Sequence, residues 1–222
     1  VHASDTNTKI RFPAADTITA ETGGSERVRI NSSGKILVGD DTAENTMGLN
    51  ANIQTFGTDA SASGFAIKRG SNDAQAAFLV LSKSRNTSVG SRTILNNGDE
   101  VGNIFFVADD GTDLASNTAA IKSQIDAAPG GNDTPGNLSF WTTADGSNSA
   151  TQRMIIHSMG AITTPTNPAF FAYKGSNSTN FPSQTVIFSS QLFDRGGDNY
   201  NPSNGRFTAP VAGYYQFGVY MY

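Results

Sequence analysis

The sequence predicts an all-β protein built from many short strands joined by tight turns, and three observations support this fold class. Apolar and polar residues alternate in short runs along most of the chain, as is typical of strands with one buried face. The 222 residues include 23 Gly together with abundant Asn, Ser and Thr, which supply turn conformations. No long amphipathic helical pattern occurs, and the 14 Phe and 6 Tyr argue against a disordered chain.

The first 45 residues predict short strands and one hairpin. In "TKIRF", Ile10 and Phe12 share a face, and "DTITAE" alternates in the same way. The stretch "RVRINSSGKILVG" predicts two strands around an Asn-Ser-Ser-Gly turn, with Ile30 before the turn and Ile36 after it. Gly34 can adopt the positive φ that such a turn requires.

The same hairpin pattern occurs twice. The stretch "ATQRMIIHSMGAITTPT" (150–166) can be laid on "SERVRINSSGKILVGDDT" (25–42) so that Arg, Ile, Ser and Gly positions coincide. Ile156 then corresponds to Ile30, and Gly160 corresponds to Gly34. We interpret these four as structural turn and hairpin residues. Because a two-stranded hairpin of this size is marginal in water, each copy is expected to pack against something else.

The region between the two copies predicts further strands. Strand patterns occur in "GFAIKRG", "VGNIFFVADDG" and "LSFWTTADG", and "AAFLVLSKS" is a continuous apolar run expected to be buried on both faces. The stretch "NTAAIKSQIDAAPGG" is ambiguous, because Ile121 and Ile125 fit both helical and alternating spacing. A strand is favoured, since the following Pro-Gly-Gly ends the pattern and the neighbouring segments are β.

Three stretches stand out along this part of the chain: "SERVRINSSGKILVG", "LSKSRNTSVGSRTILNNGDEVGNIFFVADDGTD" and "APGGNDTPGNLSFWTTADGSNSATQRMIIHSMGAI". In this order they resemble the repeated modules of bacteriophage tail fibres. The resemblance spans most of residues 8–162. It implies fibre-shaft modules of short strands and hairpins in an intertwined homotrimer, with the repeated hairpin as the joint between one module and the next.

The composition becomes richer in aromatic residues after the Pro-containing stretch "TTPTNP". "PAFFAYKG" and "VIFSSQLFDRGGDNYNPSNGRFTAPVAGYYQF" resemble the first half of a complement-1q-type head domain, with Phe207, Gly213, Tyr215 and Phe217 at that family's spacing. This resemblance implies a partial jelly roll. A jelly roll needs about eight strands, so we expect either that the natural protein continues beyond Tyr222 or that the head completes itself between chains.

Together these patterns predict four regions. They are an N-terminal β-hairpin shaft module at 1–45, a central β-rich shaft module at 46–149, the repeated hairpin with a Pro-containing linker at 150–168, and an incomplete complement-1q-like head at 169–222.

Composition and charge disfavour several classes of partner. The net charge is −4 and no basic run is present, whereas nucleic-acid binding needs clustered Lys and Arg. No apolar run approaches the roughly 18 residues of a membrane span. The chain has no Cys, which excludes disulfides and thiolate metal sites.

The residues that could carry chemistry are interpreted as structural. His157 lies at the second hairpin turn and is expected to serve the turn or an interface, with a ring of three ion-binding histidines on a trimer axis as the alternative; His2 is expected to be exposed. "ADDGTD" (108–113) lacks the spacing and closing Glu of a calcium loop, and "DRGGDNYN" (194–201) has calcium binding as its minor interpretation. The aromatic residues are expected to form the core or interface of the head rather than to bind sugars; they are Phe170, Phe171, Tyr173, Tyr214, Tyr215, Phe217 and Tyr220.

No acidic pair stands in a context that predicts the two carboxylates of a glycosidase. We therefore expect a protein that is not an enzyme and has no cofactor and no bound metal. The resemblances imply a structural and adhesive tail fibre of a phage virion, extracellular and multivalent. Expected partners are two further copies of the chain, other virion tail proteins and a host-surface receptor, either a glycan or an outer-surface protein, without nucleic acid or membrane insertion. The alternatives are a secreted cellular adhesin or surface filament, and a polysaccharide-cleaving tailspike.

Overall fold

The computed structural model describes residues 4–175 and 185–220. These residues form strands and no helix, which confirms the all-β prediction. His2, expected to be exposed, lies outside the described residues. The strands are β1 Lys9–Arg11, β2 Ile18–Thr22, β3 Ser25–Ile30, β4 Ile36–Val38, β5 Ile53–Thr55, β6 Glu100–Ala108, β7 Ser116–Ile125, β8 Gly136–Thr143, β9 Ala150–Ile156, β10 Ile162–Thr163, β11 Ala169–Tyr173, β12 Ser190–Arg195, β13 Tyr200–Asn201 and β14 Arg206–Phe207.

The first sheet contains β1 to β5 in chain order. Its first four strands are antiparallel to one another, and β5 joins β4 in parallel. Tight turns make the antiparallel order possible: Gly23 and Gly24, both with positive φ, join β2 to β3. Leu37 on β4 is fully buried, on the covered side of this sheet.

The second sheet contains β6 to β10, also in chain order. The strands from β7 to β10 pair antiparallel as a meander. The ambiguous stretch around Ile121 is strand β7, as predicted, and both Ala120 and Ile125 on that strand are buried. These two residues lie on opposite faces of β7, so the strand is covered on both sides where they stand.

The aromatic region contains two small sheets, β11 with β12 and β13 with β14, both antiparallel. Within this region, residues 208–220 contain no strand. A closed jelly roll is therefore not formed by the part of the head that the structure describes, and the complement-1q-like head stays a prediction.

Two predicted strands are wrong for the single chain. "GFAIKRG" and "AAFLVLSKS" lie outside every strand, and the second, expected to be buried on both faces, has its large apolar side chains exposed. The alternation of side chains was present in the sequence, but a strand also needs a neighbour to receive its backbone hydrogen bonds. None of the other described residues supplies that neighbour.

The chain divides into two compact units, Val1–Ser82 with Phe105–Thr118, and Lys83–Ile104 with Ala119–Tyr222. Few large apolar side chains in the described ranges are buried; those that are include Leu37, Ile125 and Tyr200. Within these ranges, no helix has the length and apolar character needed to cross a membrane.

Candidate functional site

The repeated device is larger than a hairpin. In each copy, a third strand precedes the two hairpin strands, so that β2–β3–β4 and β8–β9–β10 are corresponding antiparallel sets. The register is the same in both. In the first copy the central isoleucine, Ile30, lies opposite Ile18 and Ile36, and in the second copy Ile156 lies opposite Leu138 and Ile162.

The turns of the two copies share their backbone geometry. Gly34 and Gly160 have φ of 76° and 83°, the left-handed region that favours glycine. The Gly34 amide donates to the Asn31 carbonyl and the Gly160 amide donates to the His157 carbonyl, each at 2.8 Å. The glycine of each turn therefore meets a conformational requirement of the backbone.

Both copies also contain a β-bulge at a corresponding arginine. The register shift between β2 and β3 leaves Arg27 without an opposite residue, and the shift between β8 and β9 does the same to Arg153. The Arg27 Nε donates to Thr22 Oγ1 at 3.0 Å, and the Arg153 Nε donates to Thr142 Oγ1 at 2.9 Å. Bulges bend and twist a strand, and both copies have this irregularity at the corresponding position.

The first sheet presents a row of isoleucines on an open face. Directly opposite residues of paired strands point to the same side of a sheet, and the pairings run continuously across four strands. The exposed fractions of these side chains lie between 36% and 67%. We call this set the first aliphatic row: Ile18, Ile30, Ile36 and Ile53.

The opposite face of the same sheet carries polar side chains together with the fully buried Leu37. Thr19 and Glu21 on β2 are buried there, and Lys9 and Arg11 both form ion pairs with Glu21. Arg29, opposite Thr19, forms an ion pair with Glu26, and that hydrogen bond raises the pKa of Arg29 above its ordinary value. The sheet thus buries Leu37 and the Glu21 carboxylate on one face and leaves a row of aliphatic side chains partly exposed on the other.

The second sheet presents a corresponding aliphatic row over three strands. Leu138 and Ile162 are 39% and 63% exposed, whereas Ser139, on the other side of β8, is buried. We call Leu138, Ile156 and Ile162 the second aliphatic row. Both rows leave apolar side chains partly exposed in the single chain, and exposed apolar patches mark sites of protein association.

The total surface of the chain agrees with an incomplete cover. The chain exposes 16,540 Å², whereas a compact monomer of 23.3 kDa exposes about 9,700 Å². The difference, roughly 6,800 Å² per chain, exceeds the roughly 1,600 Å² buried in a standard protein–protein interface. A surface this large is expected of a chain that reaches its final burial only in an assembly.

His157 lies in the turn of the second copy, beside a carboxylate that holds this turn. Asp126 Oδ2 accepts hydrogen bonds from the Ser158 amide at 3.0 Å and hydroxyl at 3.1 Å, and Asp126 Oδ1 accepts one from Asn137. The Ser158 backbone bond is the main cause that lowers the pKa of Asp126 to about 2. His157 Nδ1 is 3.5 Å from this carboxylate. In the first copy Asn31 caps its own turn instead.

The acidic turns do not gather into a metal site. In "ADDGTD", Asp109, Asp110 and Asp113 each accept backbone amide hydrogen bonds from their own turn. Asp194 of "DRGGDNYN" accepts the Tyr200 amide at 2.8 Å. Across residues 4–175 and 185–220, no three His, Asp or Glu side chains lie close enough together to hold a metal ion.

A groove of about 360 Å³ is present in the first unit. Its lining is mainly apolar and includes Met47, Leu49 and Phe56, and Glu44 is its one carboxylate. Hydrolysis of a glycosidic bond needs two carboxyl groups on either side of the bond, so this groove does not have the composition of a glycosidase site.

The aromatic residues of the head separate into two groups. The ring of Phe170 stacks on that of Tyr200 with centroids 4.5 Å apart, and Phe207 lies against Phe170, Tyr215 and Phe217. The Tyr200 hydroxyl donates to the Phe188 carbonyl at 2.8 Å. These rings form a small cluster around the buried Tyr200, with Phe217 59% exposed at its edge. The remaining aromatic side chains singled out in the sequence are exposed: Phe171, Tyr173, Tyr214 and Tyr220.

The structure brings together residues that the sequence pattern left apart. Ile30 and Ile156 lie at the centres of the two rows, but Ile18, Ile53 and Leu138 were not singled out as site residues. Their signal was available, because each occupies an apolar position in a predicted or observed strand. The sequence did not show that these residues lie beside Ile30 and Ile156, because that depends on strand register, which cannot be read from the spacing of the two hairpins.

The fold has counterparts among solved structures. The carboxy-terminal domain of the bacteriophage T5 L-shaped tail fibre matches with a TM-score of 0.50 and 14% identity, over 84% of this chain and 77% of that one. The same domain of bacteriophage T5 with its intra-molecular chaperone domain matches with a TM-score of 0.51 and 13% identity, over 84% of this chain and 52% of that one. No protein-family model matches the sequence, and no curated protein matches it. The chain thus has a tail-fibre-like all-β fold.

Proposed function

We propose that this chain is a structural and adhesive tail fibre of a phage virion, and that it works as a homotrimer. The observation that carries the proposal is the row of exposed aliphatic side chains that each of the two five-stranded sheets presents. Three copies around one axis would turn each aliphatic row toward the others. The fold likeness to two tail-fibre structures supports the phage setting.

In this proposal the two repeated three-stranded sets are joints between shaft modules. Ile30 and Ile156 face the partner copies, while Gly34 and Gly160 set the turns. The regions keep the bounds 1–45, 46–149 and 150–168 for the shaft and its linker, with a complement-1q-like head at 169–222. A trimer would cover strand edges that otherwise invite aggregation.

The head end is proposed to contact a host-surface receptor, a glycan or an outer-surface protein, and the other end to join virion tail proteins. Three identical sites on one fibre bind cooperatively through their high local concentration, so that each single contact can be weak. The proposal assigns no catalysis, cofactor, nucleic acid or membrane insertion to the chain. Its location is the virion tail, outside the cell.

The second candidate function is a secreted cellular adhesin or surface filament built from the same modules. The same aliphatic faces would serve it equally well, so the two functions differ only in the particle that carries the fibre. A polysaccharide-cleaving tailspike is the third, and the composition of the groove in the first unit does not favour it.

Two measurements test the proposal. Sedimentation equilibrium of the purified chain should give a mass three times 23.3 kDa, and a monomer at micromolar concentration would contradict it. Antibodies raised against the chain should then label tails in electron micrographs of virions and should slow adsorption of the virions to host cells. Labelling of filaments on uninfected cells would favour the adhesin instead, and loss of polysaccharide chain length on incubation would favour the tailspike.

A further inference from the structure

One apolar run remains without any role in the sheets of the chain. Residues 76–82, "AAFLVLS", lie outside every strand. The side chains at both the odd and the even positions of this run are exposed to solvent. The exposed fractions of Phe78, Leu79, Val80 and Leu81 are 68%, 67%, 76% and 47%. We call residues 76–82 the apolar segment.

Ion pairs fix the chain on both sides of the apolar segment. Before it, Arg69 binds Asp73 with both terminal guanidinium nitrogens and donates to the Gln75 carbonyl at 2.6 Å. After it, the Arg85 guanidinium binds the Asp99 carboxylate at 2.6 and 2.8 Å. Polar contacts therefore flank the apolar segment on both sides along the chain.

The composition of the apolar segment requires burial on both sides. Four large apolar residues, Phe78 to Leu81, follow one another without a charge or proline, and a strand of this kind belongs inside a sheet that is covered on two faces. Its backbone also needs partners. Among the described residues, no backbone hydrogen bond joins Phe78–Leu81 to another part of the chain.

We propose that the apolar segment forms a strand on a sheet edge of a second copy of this chain. This inference rests on the proposed function, because it needs the assembled fibre. Each copy carries one such segment and also ends its two five-stranded sheets with open edge strands. Each copy thus offers at least one edge for the one segment of a neighbouring copy, so a closed ring of three copies can use every segment once.

The size of the uncovered surface also favours a copy of the chain as the occupant. Roughly 6,800 Å² per chain stays exposed beyond what a compact monomer shows. Obligate interfaces bury about 2,000–5,000 Å² in total and are apolar. A strand added to an edge gains backbone hydrogen bonds as well as side-chain burial, which is how extended segments join exposed sheets.

Amide hydrogen exchange of the assembled protein tests this inference. In the oligomer, the amides of residues 78–81 should exchange at least about a hundredfold more slowly than in an unstructured chain, while those of the exposed turn at 87–90 exchange freely. An oligomer with unprotected amides at 78–81 would overturn the inference and leave the proposed function standing. A monomeric chain would overturn both, and protection within a monomer would show pairing inside one chain.

A mixing experiment identifies the copy that receives the segment. Chains labelled with ¹⁴N and ¹⁵N are assembled together and cross-linked through Lys83, which directly follows the apolar segment. Cross-links of Lys83 that contain both isotopes are expected. Cross-links of a single isotope alone would overturn the inference.

A paired substitution gives a second readout. Val80→Asp places a charge in the proposed strand and should lower the trimer fraction at least tenfold at a fixed concentration, whereas Val89→Asp in the exposed turn should leave it unchanged. Equal trimer fractions in the two variants would contradict the inference, and the exchange measurement on the unaltered chain decides the case in which Val80→Asp does not fold.

Discussion

The substitution Ile53→Ala should destabilise an isolated chain and an assembled chain by different amounts. Ile53 is the most exposed member of the first aliphatic row, with 67% of its surface exposed. Full burial of an isoleucine side chain contributes about 1.5–3 kcal/mol. In an isolated chain only the covered third would be lost, which amounts to about 0.5–1 kcal/mol. If another copy covers Ile53, the substitution removes a packed side chain and leaves a cavity, at a cost of about 2–5 kcal/mol per chain.

In a trimer, the cost of the substitution per assembled chain counts three times. At the lower limit of about 2 kcal/mol per chain, the equilibrium between the trimer and unfolded chains should change by roughly four orders of magnitude, since about 1.4 kcal/mol corresponds to a factor of ten. Circular dichroism during heating, at several protein concentrations, measures this change, and the midpoint of an assembled protein should rise with concentration.

The matched control is Val89→Ala, which shortens a fully exposed apolar side chain in the turn after the apolar segment. It should change the free energy of unfolding by less than about 0.5 kcal/mol. The reasoning would be refuted if Ile53→Ala cost less than about 1 kcal/mol per chain and left a melting midpoint that did not depend on concentration.

Three further predictions concern the hairpin turns and the aromatic cluster. The pKa of Asp126 is lowered to about 2, so its carboxylate contributes stability above the unfolded pKa of about 3.9, and this stability is lost as the pH falls toward 2. The variant Asp126→Asn should therefore melt at a lower temperature than the unaltered protein at pH 7 and at a similar temperature at pH 2. Equal differences in melting temperature at both pH values would contradict this. Gly34→Ala meets no atom within 4 Å but has φ of +76°, so it should destabilise by about 1–2 kcal/mol, whereas Gly70→Ala, with open space and no positive φ, should have no cost in the same denaturant titration; equal costs would argue against backbone strain as the cause. Tyr200→Phe removes the bond to the Phe188 carbonyl and should cost about 1–3 kcal/mol in chemical unfolding, and an unchanged midpoint would show that water replaces the hydroxyl.

The sequence predicted the elements whose signal is local. The alternation in "DTITAE", the Asn-Ser-Ser-Gly turn and the match of Gly160 to Gly34 each depend on a few neighbouring residues, and strands and turns occur at these places. The choice of strand for the stretch around Ile121 succeeded for the same reason, since alternation and a terminating Pro-Gly-Gly both act over short distances.

The third strand of each repeat escaped the sequence comparison. β2 and β3 are joined by residues 23–24, whereas β8 and β9 are joined by residues 144–149. The longer connection shifts Leu138 out of alignment with Ile18, so one superposition of the sequences could not include both the third strand and the hairpin. Register supplies the correspondence, because each of these residues lies opposite the central isoleucine of its copy.

The sequence by itself determined that this protein is all-β, that it contains the same glycine-turned hairpin twice, and that cysteine chemistry is absent, because composition and short-range spacing carry that information. Only the tertiary structure decided which face of each sheet is open. Alternation defines two faces but does not say which one a chain covers, and here the charged pairs around Glu21 lie on the buried side while the first aliphatic row lies on the open one. The prediction of a buried strand at "AAFLVLSKS" failed within one chain for the related reason that burial depends on neighbours, and pairing partners are a property of the folded and assembled molecule.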